Sequence, residues 1–446
     1  MEWTTPSAVL DPLQTHTTEV NWRVHVLASP DRRWRGRILQ LGPQGCVLGR
    51  APAGAHDAQI DDALLSRSHL ELRPGPRADL LDVRDLGSRN GTFRCAQRVS
   101  TATVGHDTVL RLGSTVALVE ADLGSARVYD HPTQEVPGRS RAARCIREAL
   151  DHAAPGDAPV LIQGPTGSGK EYAVQELYRR SGRRGPIVYV SAPALAENAF
   201  ETEFLGQHSA DPSQGVQDLL PAAAGGLLVL DEIAELRPTH QARLLRLLDS
   251  GNQRAAGSAA ELPPHTRFVA TTNADLEDRI QEGRFRRDLL ARLRTYVVTL
   301  PPLRARRADL LDWADVLVPL QHPQLTNWSM ALAPDALEAL LLHDWPENLR
   351  ELRVVLQGLK TQLQAAPLPL RALPPQLRDG KSWQRPGGAS PALTPEADVL
   401  RRLLARHYGN VATLARHFGR DRRQIYRWLD QAGIGDEELA TYRRGE

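Results

Sequence analysis

The residues best suited to chemistry lie in one short stretch, Gly164, Pro165, Thr166, Gly167, Ser168, Gly169, Lys170 and Glu171. Glycines in this pattern let backbone N–H groups wrap the β-phosphate of a nucleotide, a following helix adds a favourable dipole at its N-terminus, and Lys170 can reach the β and γ oxygens. Lys360 and Lys381 are the only other lysines among 55 basic residues, so a lysine here is no accident of composition. Further along, GLLVLDE is apolar until it ends in Asp231 and Glu232. At the carboxyl end of a buried parallel strand such a pair can hold Mg2+ through Asp231 and polarise an attacking water through Glu232. RFVATTN ends in the same way with Thr272 and Asn273, placed to sense a γ-phosphate or that water. Arg286 and Arg292 of FRRDLLARL are candidate fingers, supplied to a neighbouring subunit to stabilise transition-state charge. ATP and Mg2+ are the cofactors these residues imply.

The elements that would position this chemistry are legible in the pattern. VLIQ comes just before the glycine loop and EYAVQELYRR follows it, giving strand, loop and helix in the order a P-loop requires. VLIQ, IVYVS, GLLVLDE and RFVATTN alternate with helical stretches, which predicts a parallel α/β core over 136–302. Amphipathic helices such as APDALEALLLHDW follow, predicting a helical lid over 303–372. The Pro/Gly/Ser-rich stretch 373–394 is expected to be a linker. Ahead of the core, WRVHVL, GRILQL, GCVLGR, LLDVRDL and VALVE are brief apolar runs between turn residues, predicting an all-β sandwich over 21–125.

Together GPTGSGKE, GLLVLDEIAEL, GRFRRDLLARL, LPPLRARRADL and WPENLREL resemble the AAA+ domain of sigma-54-dependent activators, the bacterial enhancer-binding proteins. The resemblance runs over roughly residues 136 to 366. That family also carries Glu where Glu171 stands, in place of the Ser or Thr of most P-loops. By position the resemblance assigns Arg286 and Arg292 to its trans-acting fingers and Arg350 to its sensor II arginine. It implies an ATPase ring, typically a hexamer, that acts on sigma-54 RNA polymerase. Two departures stand out: TEFLGQHSADPSQGVQDLLPAAAGG contains no GAFTGA motif, and Ser191 replaces an asparagine that couples the Walker B glutamate to nucleotide state.

LGR, LSRSH and DLGSRNGT, in that order over 48–92, are similar to the forkhead-associated (FHA) domain. Arg50, Ser66, Arg67 and Asn90 match its phosphothreonine-contacting positions, while His69 and Gly91 are expected to hold the loops in shape. A phosphothreonine-containing protein is the partner implied, and a phosphoprotein signal the natural input to the ATPase.

The last segment, 395–435, divides into three helical patterns broken at Gly409 and Gly419, with Asn410 and Asp421 as N-caps. It resembles the Fis-type helix-turn-helix, an all-α domain whose last helix enters the major groove. That helix would offer Arg422, Arg423, Gln424 and Arg427 to DNA, with Leu400, Leu404, Leu414, Ile425 and Leu429 in the core.

Composition is compatible with three domains in 446 residues: 41% hydrophobic and 24% charged residues are ordinary for globular chains. No apolar run approaches the ~20 residues of a membrane span, and MEWTTPSAVL has no basic stretch leading into an apolar core. A cytoplasmic location with no membrane role is expected. Cys46, Cys95 and Cys145 have no ligand-like spacing. The sequence leaves two readings open: an ATP-driven activator of sigma-54 polymerase, or a DNA-bound regulator that uses ATP for assembly alone. A phosphopeptide adaptor with a vestigial ATPase is disfavoured, because the nucleotide residues are nearly complete.

Overall fold

The computed structural model describes residues 21–122 apart from 55, 56, 76, 78 and 79, then 132–195, 219–250 and 266–378 apart from 323, 364 and 365. Beyond these it describes positions 401, 404, 411, 425, 426, 428, 429 and 434. The chain divides into two units, Met1–Trp383 and Gln384–Glu446.

The first unit begins with a sandwich of eleven strands: β1 (Asn21–Ala28), β2 (Arg37–Leu41), β3 (Cys46–Gly49), β4 (Ala58–Gln59), β5 (Leu70–Pro74) and β6 (Leu81–Asp85), continuing through β7 (Thr92–Arg94), β8 (Gln97–Val99), β9 (Thr101–Val104), β10 (Thr108–Leu112) and β11 (Thr115–Asp122). They form one sheet of order β2-β1-β11-β10-β7-β8 and another of order β4-β3-β5-β6-β9. Trp22, Leu48, Leu70, Leu72, Val83, Leu110, Leu112, Ala117 and Val119 fill the space between them. Side chains alternate across a strand, so Val109, Val116 and Leu118 face the other way.

The ATPase-like core follows with α1 (Arg141–Ala153), β12 (Val160–Gln163), α2 (Lys170–Ser181), β13 (Ile187–Ser191), α3 (Leu219–Ala222), β14 (Leu227–Asp231) and α4 (Pro238–Ser250), and then β15 (Arg267–Thr272), α5 (Leu276–Gln281), α6 (Arg287–Leu293) and β16 (Tyr296–Thr299). Its five strands are parallel, in the order β13-β14-β15-β12-β16. Leu228, Leu230 and Ala270 pack on one face, Leu227, Val229 and Val269 on the other. Both faces are covered, which is why these strands are apolar throughout. β16 adds a strand to the four expected; only four residues between a helix and Pro301, it carries too short a pattern to stand out.

The lid consists of α7 (Leu310–Leu317), α8 (Trp328–Ala331), α9 (Pro334–Leu342), α10 (Leu349–Lys360) and α11 (Pro375–Arg378) around buried Trp313, Trp328 and Trp345. Its packing runs past residue 372 into the stretch expected to be linker: Leu373 and Leu377 are each 2% exposed. Two leucines four apart, hidden among prolines, are enough to anchor a short helix there.

The sandwich is not separate from the lid. Leu27, Ala28, Val109, Val116 and Leu118 share one apolar cluster with Trp328, Leu332 and Leu337. Buried Glu338 of α9 accepts from the Ala96 N–H and from Arg111 Nε, both at 2.6 Å. Arg307 pairs with Asp107. Glu120 of β11 accepts the Arg141 N–H at 2.9 Å, which puts a carboxylate at the positive end of α1.

Among the described residues no helix is long and apolar enough to cross a membrane. In the second unit positions 401, 404, 411, 425, 426, 428 and 429 are helical, and Leu404, Ile425 and Leu429 are buried as expected.

Candidate functional site

The glycine loop sits between the carboxyl end of β12 and the start of α2. Gly164 N–H donates to Thr272 O at 3.1 Å, tying the loop to β15. Gly167 and Gly169 have φ of 72° and 99°, and a Cβ on Gly167 would collide with Glu347 O. Glycine is required here by backbone conformation and by contact together. The lid closes on the loop from the other side. Leu349 N–H donates to Gly167 O at 3.0 Å, and Asn348 Nδ2 donates to Thr166 O at 2.9 Å. Arg306 donates to Ser168 O. Burial holds the Arg306 guanidinium below its usual range, with Asp309 pulling the other way.

Lys170 lies across the loop. Its Nζ donates to Gly164 O at 3.1 Å and stands 3.7 Å from Glu232 Oε1. Glu232 Oε2 accepts the Asn273 N–H at 3.1 Å, and Asn273 Nδ2 donates to Thr166 Oγ1 at 3.1 Å. Lys170, Glu232, Asn273 and Thr166 therefore form a chain of polar contacts that begins and ends on the loop. Glu232 adopts φ of 53°, a left-handed conformation rare for a residue with a side chain, of the kind that collects at functional sites. Asp231 ends its strand exposed, and its Oδ1 accepts from the Thr271 hydroxyl. Ser191 is opposite Asp231 in the β13–β14 register.

Several expected residues gather here and others do not. Gly164 to Glu171, Asp231, Glu232 and Asn273 come together, and exposed Arg350 lies beside Gly167, in the first turn of α10. Thr272, expected at the phosphate, is fully buried; its hydroxyl bonds within the turn to Ala274, and it gives the loop only its carbonyl. The preceding Thr271 holds Asp231 instead, because strand alternation turns neighbouring side chains to opposite faces. Arg286 and Arg292 lie at the surface, 48% and 56% exposed, paired with Asp288 and Asp249. Asn348, Arg306 and Thr271 had no signal in the sequence: asparagine and threonine are common at element ends, and one arginine among many draws no notice. No group of three or more His, Cys, Asp or Glu able to hold a metal is present among the described residues. A magnesium held by phosphate oxygens and one carboxylate needs no such group.

At the FHA-like loops the expected residues also gather. Arg50 N–H donates to Ser66 O at 2.9 Å, Arg89 N–H to Ser66 Oγ at 3.1 Å, and Asn90 Nδ2 to Leu64 O at 2.7 Å. Arg50, Arg67 and Asn90 are exposed. Buried His69 stitches the loops: Nδ1 accepts the Ser66 N–H at 3.2 Å, and Nε2 is 3.3 Å from Gly91 O. Burial lowers its pKa, favouring the neutral ring that this pairing needs. Gly91, with φ of 79°, completes the turn.

Arg422, Arg423, Gln424 and Arg427, with Leu400 and Leu414, lie outside the described residues, as does the segment 196–218 that lacks GAFTGA.

A family model described as the sigma-54 interaction domain matches residues 136–299, one described as the FHA domain matches 46–113, and one described as the AAA+ ATPase lid domain matches 304–389. The chain is 30% identical over 406 residues to the nitric oxide reductase transcription regulator NorR1 of Cupriavidus necator, covering 84% of this chain and 79% of that protein. It is 31% identical over 326 residues to the transcriptional regulatory protein ZraR of Klebsiella oxytoca, covering 71% and 73%. Against the acetoin catabolism regulatory protein of Cupriavidus necator, identity is 37% over 297 residues, which span 44% of that protein. The crystal structure of NtrX from Brucella abortus in complex with ATP is 28% identical, with 68% of this chain and 70% of that one covered, at a TM-score of 0.46. With its phosphate-loop geometry, its ordered motifs and its similarity over more than two thirds of both chains to NorR1 and to ZraR, the chain belongs to the family of transcription regulators that carry a sigma-54 interaction domain.

Proposed function

We propose that this protein is an ATP-dependent, DNA-binding transcriptional regulator of the sigma-54 activator type, controlled through phosphothreonine recognition. The observation that carries the proposal is the chain of contacts from Lys170 through Glu232 and Asn273 to Thr166, on a loop of left-handed glycines. Lys170 would reach the β and γ oxygens of a bound ATP, Asp231 would hold Mg2+, which would supply charge neutralisation on the phosphates, and Glu232 would polarise the attacking water. Asn273 bridges the water-activating carboxylate and the loop, so it feels the presence of the γ-phosphate. Arg350 reads the bound nucleotide from the lid, while Arg286 and Arg292, exposed and away from this loop, serve a neighbour's site within a ring. Arg50, Ser66, Arg67 and Asn90 take the phosphothreonine through charge-assisted hydrogen bonds. Arg422, Arg423, Gln424 and Arg427 hold DNA.

The test is on purified full-length protein. Lys170→Ala is expected to lose ATP binding, and Glu232→Gln to keep binding while turnover falls at least about 100-fold. Undiminished binding by the first or undiminished hydrolysis by the second removes the assignment. A second reading, ATP used for assembly alone, is favoured by the missing GAFTGA motif. Conversion of closed sigma-54 polymerase complexes to open ones by this protein and ATP separates the two.

A further inference from the structure

We propose that Gln241 is a positioning residue that ties the placement of Arg286 to the turn carrying Glu232. The proposal rests on the reading of Arg286 as a finger offered to a neighbouring copy, and it names what orders that finger.

Gln241 lies in the first turns of α4 and is wholly buried. Its side-chain amide serves backbone groups of two separate segments. Nε2 donates to Leu236 O at 2.7 Å and to Arg284 O at 2.8 Å, while Oε1 accepts the Arg286 N–H at 2.8 Å. Leu236 closes the tight turn that starts at Glu232: Glu235 N–H donates to Glu232 O, and Leu236 N–H to Ile233 O, both at 3.0 Å. Arg284 and Arg286 belong to the loop that enters α6. Both donors and the acceptor of one wholly buried amide are thus used to join the acidic turn to the arginine loop. A shift of the turn must carry the loop with it or leave buried polar groups unpaired, each costing about 1–3 kcal/mol.

Arg286 is held at both ends of its peptide unit. Its N–H goes to Gln241, and its carbonyl accepts the Leu290 N–H at 3.2 Å in the first turn of α6. Only its side chain is free to swing, and its guanidinium pairs with Asp288 at the surface, where a phosphate of higher charge would compete. A second strap runs in parallel: Arg279 binds Glu235 at 2.7 Å, and its carbonyl accepts the Arg284 and Phe285 N–H groups. The far end of α4 holds the other arginine, with Asp249 2.7 Å from Arg292. The helix that leaves the acidic turn therefore carries both candidate fingers, attached about 12 Å apart at 1.5 Å per residue. Through Gln241 the state of a chain's own site sets how well it presents an arginine to the next.

The experiment mixes full-length subunits. Gln241→Met keeps the side-chain size and removes all three bonds. Alone it should bind ATP within about twofold of wild type and turn it over 10- to 100-fold more slowly, the scale of an ångström misplacement. Mixed with Lys170→Ala, which cannot use its own site but presents an intact arginine, it should regain turnover, because a Gln241→Met site then faces an unaltered finger. A subunit merely damaged in fold, or one whose own Glu232 is misplaced, would show no such recovery. Arg286→Ala mixed with Lys170→Ala is the reference. Recovery in the reference without recovery for Gln241→Met overturns this inference alone; no recovery in the reference, or no turnover by wild type, overturns the proposed function and this inference with it. Should Gln241→Met fail to accumulate, Arg279→Ala cuts the parallel strap at the surface. The same recovery pattern is then required, and its absence is equally decisive against the proposal.

Discussion

A carboxylate or guanidinium acts according to what surrounds it, and at this scale the sequence shows types but not environments. Lys170, Asp231 and Glu232 were legible because their spacing and the apolar strand before them allow few other uses. Arg306, Asn348 and Gln241 were not, since each works by bonding backbone groups that are distant in sequence. Thr272 shows the converse: a polar residue at a strand end is as readily used by its own turn as by a ligand. The gathering of Arg50, Ser66 and Asn90 predicts that Arg50→Ala weakens binding of a phosphothreonine peptide at least about tenfold while the unphosphorylated peptide is unaffected, a loss of one charge-assisted contact. Calorimetric titration with the paired peptides checks it, and wild-type protein that binds both peptides equally would end the phosphothreonine assignment. Asp312 of the lid gives a pH signature. Burial, reinforced by the nearby Asp309, pushes its carboxyl from 3.8 up to about 7. Between these values the unfolded chain has released a proton that the folded chain keeps, so its contribution to stability falls as pH rises through this window. Asp312→Asn should therefore melt increasingly above wild type from pH 4 to pH 7, with a constant difference at higher pH. A melting difference independent of pH would show that the carboxyl titrates normally.

Among the elements, the parallel strands were the clearest, because a strand covered on both faces is apolar throughout. β16 escaped notice for its brevity, and α11 for its prolines. The same logic was available at β10 and β11. TVLRL and VALV carry apolar residues at consecutive positions, the mark of a sheet covered on its outer side as well, and the structure supplies the cover in the lid. The middle of α9 is tied there to β10 and to the β7–β8 turn by Glu338, which accepts from both Arg111 and the Ala96 N–H. Removing one member of a buried pair leaves the other charge uncompensated, so Glu338→Ala should destabilise by on the order of 3 kcal/mol. Scanning calorimetry should show the sandwich and lid transitions lowered together. A drop confined to one of them would mean that the contact transmits nothing.

For the molecule as a whole, the sandwich, the ATPase-type core and the lid are each present, yet the boundary between sandwich and lid is a shared apolar core rather than a wet seam. Residues 1–131 made alone should accordingly self-associate, and Leu118→Lys within that fragment should return it to a monomer; light scattering tells these apart, and a monomeric parent fragment would show that the outer face tolerates solvent. The seam also has a consequence in time. A ribosome releases the sandwich first, while α9 leaves it only roughly 200 residues later. At about 5–20 residues per second, that is an interval on the order of ten to forty seconds. Throughout it Val109, Val116 and Leu118 lack the lid residues they finally lie against, so the nascent chain carries this adhesive surface in the open until the far half of its own sequence arrives to cover it.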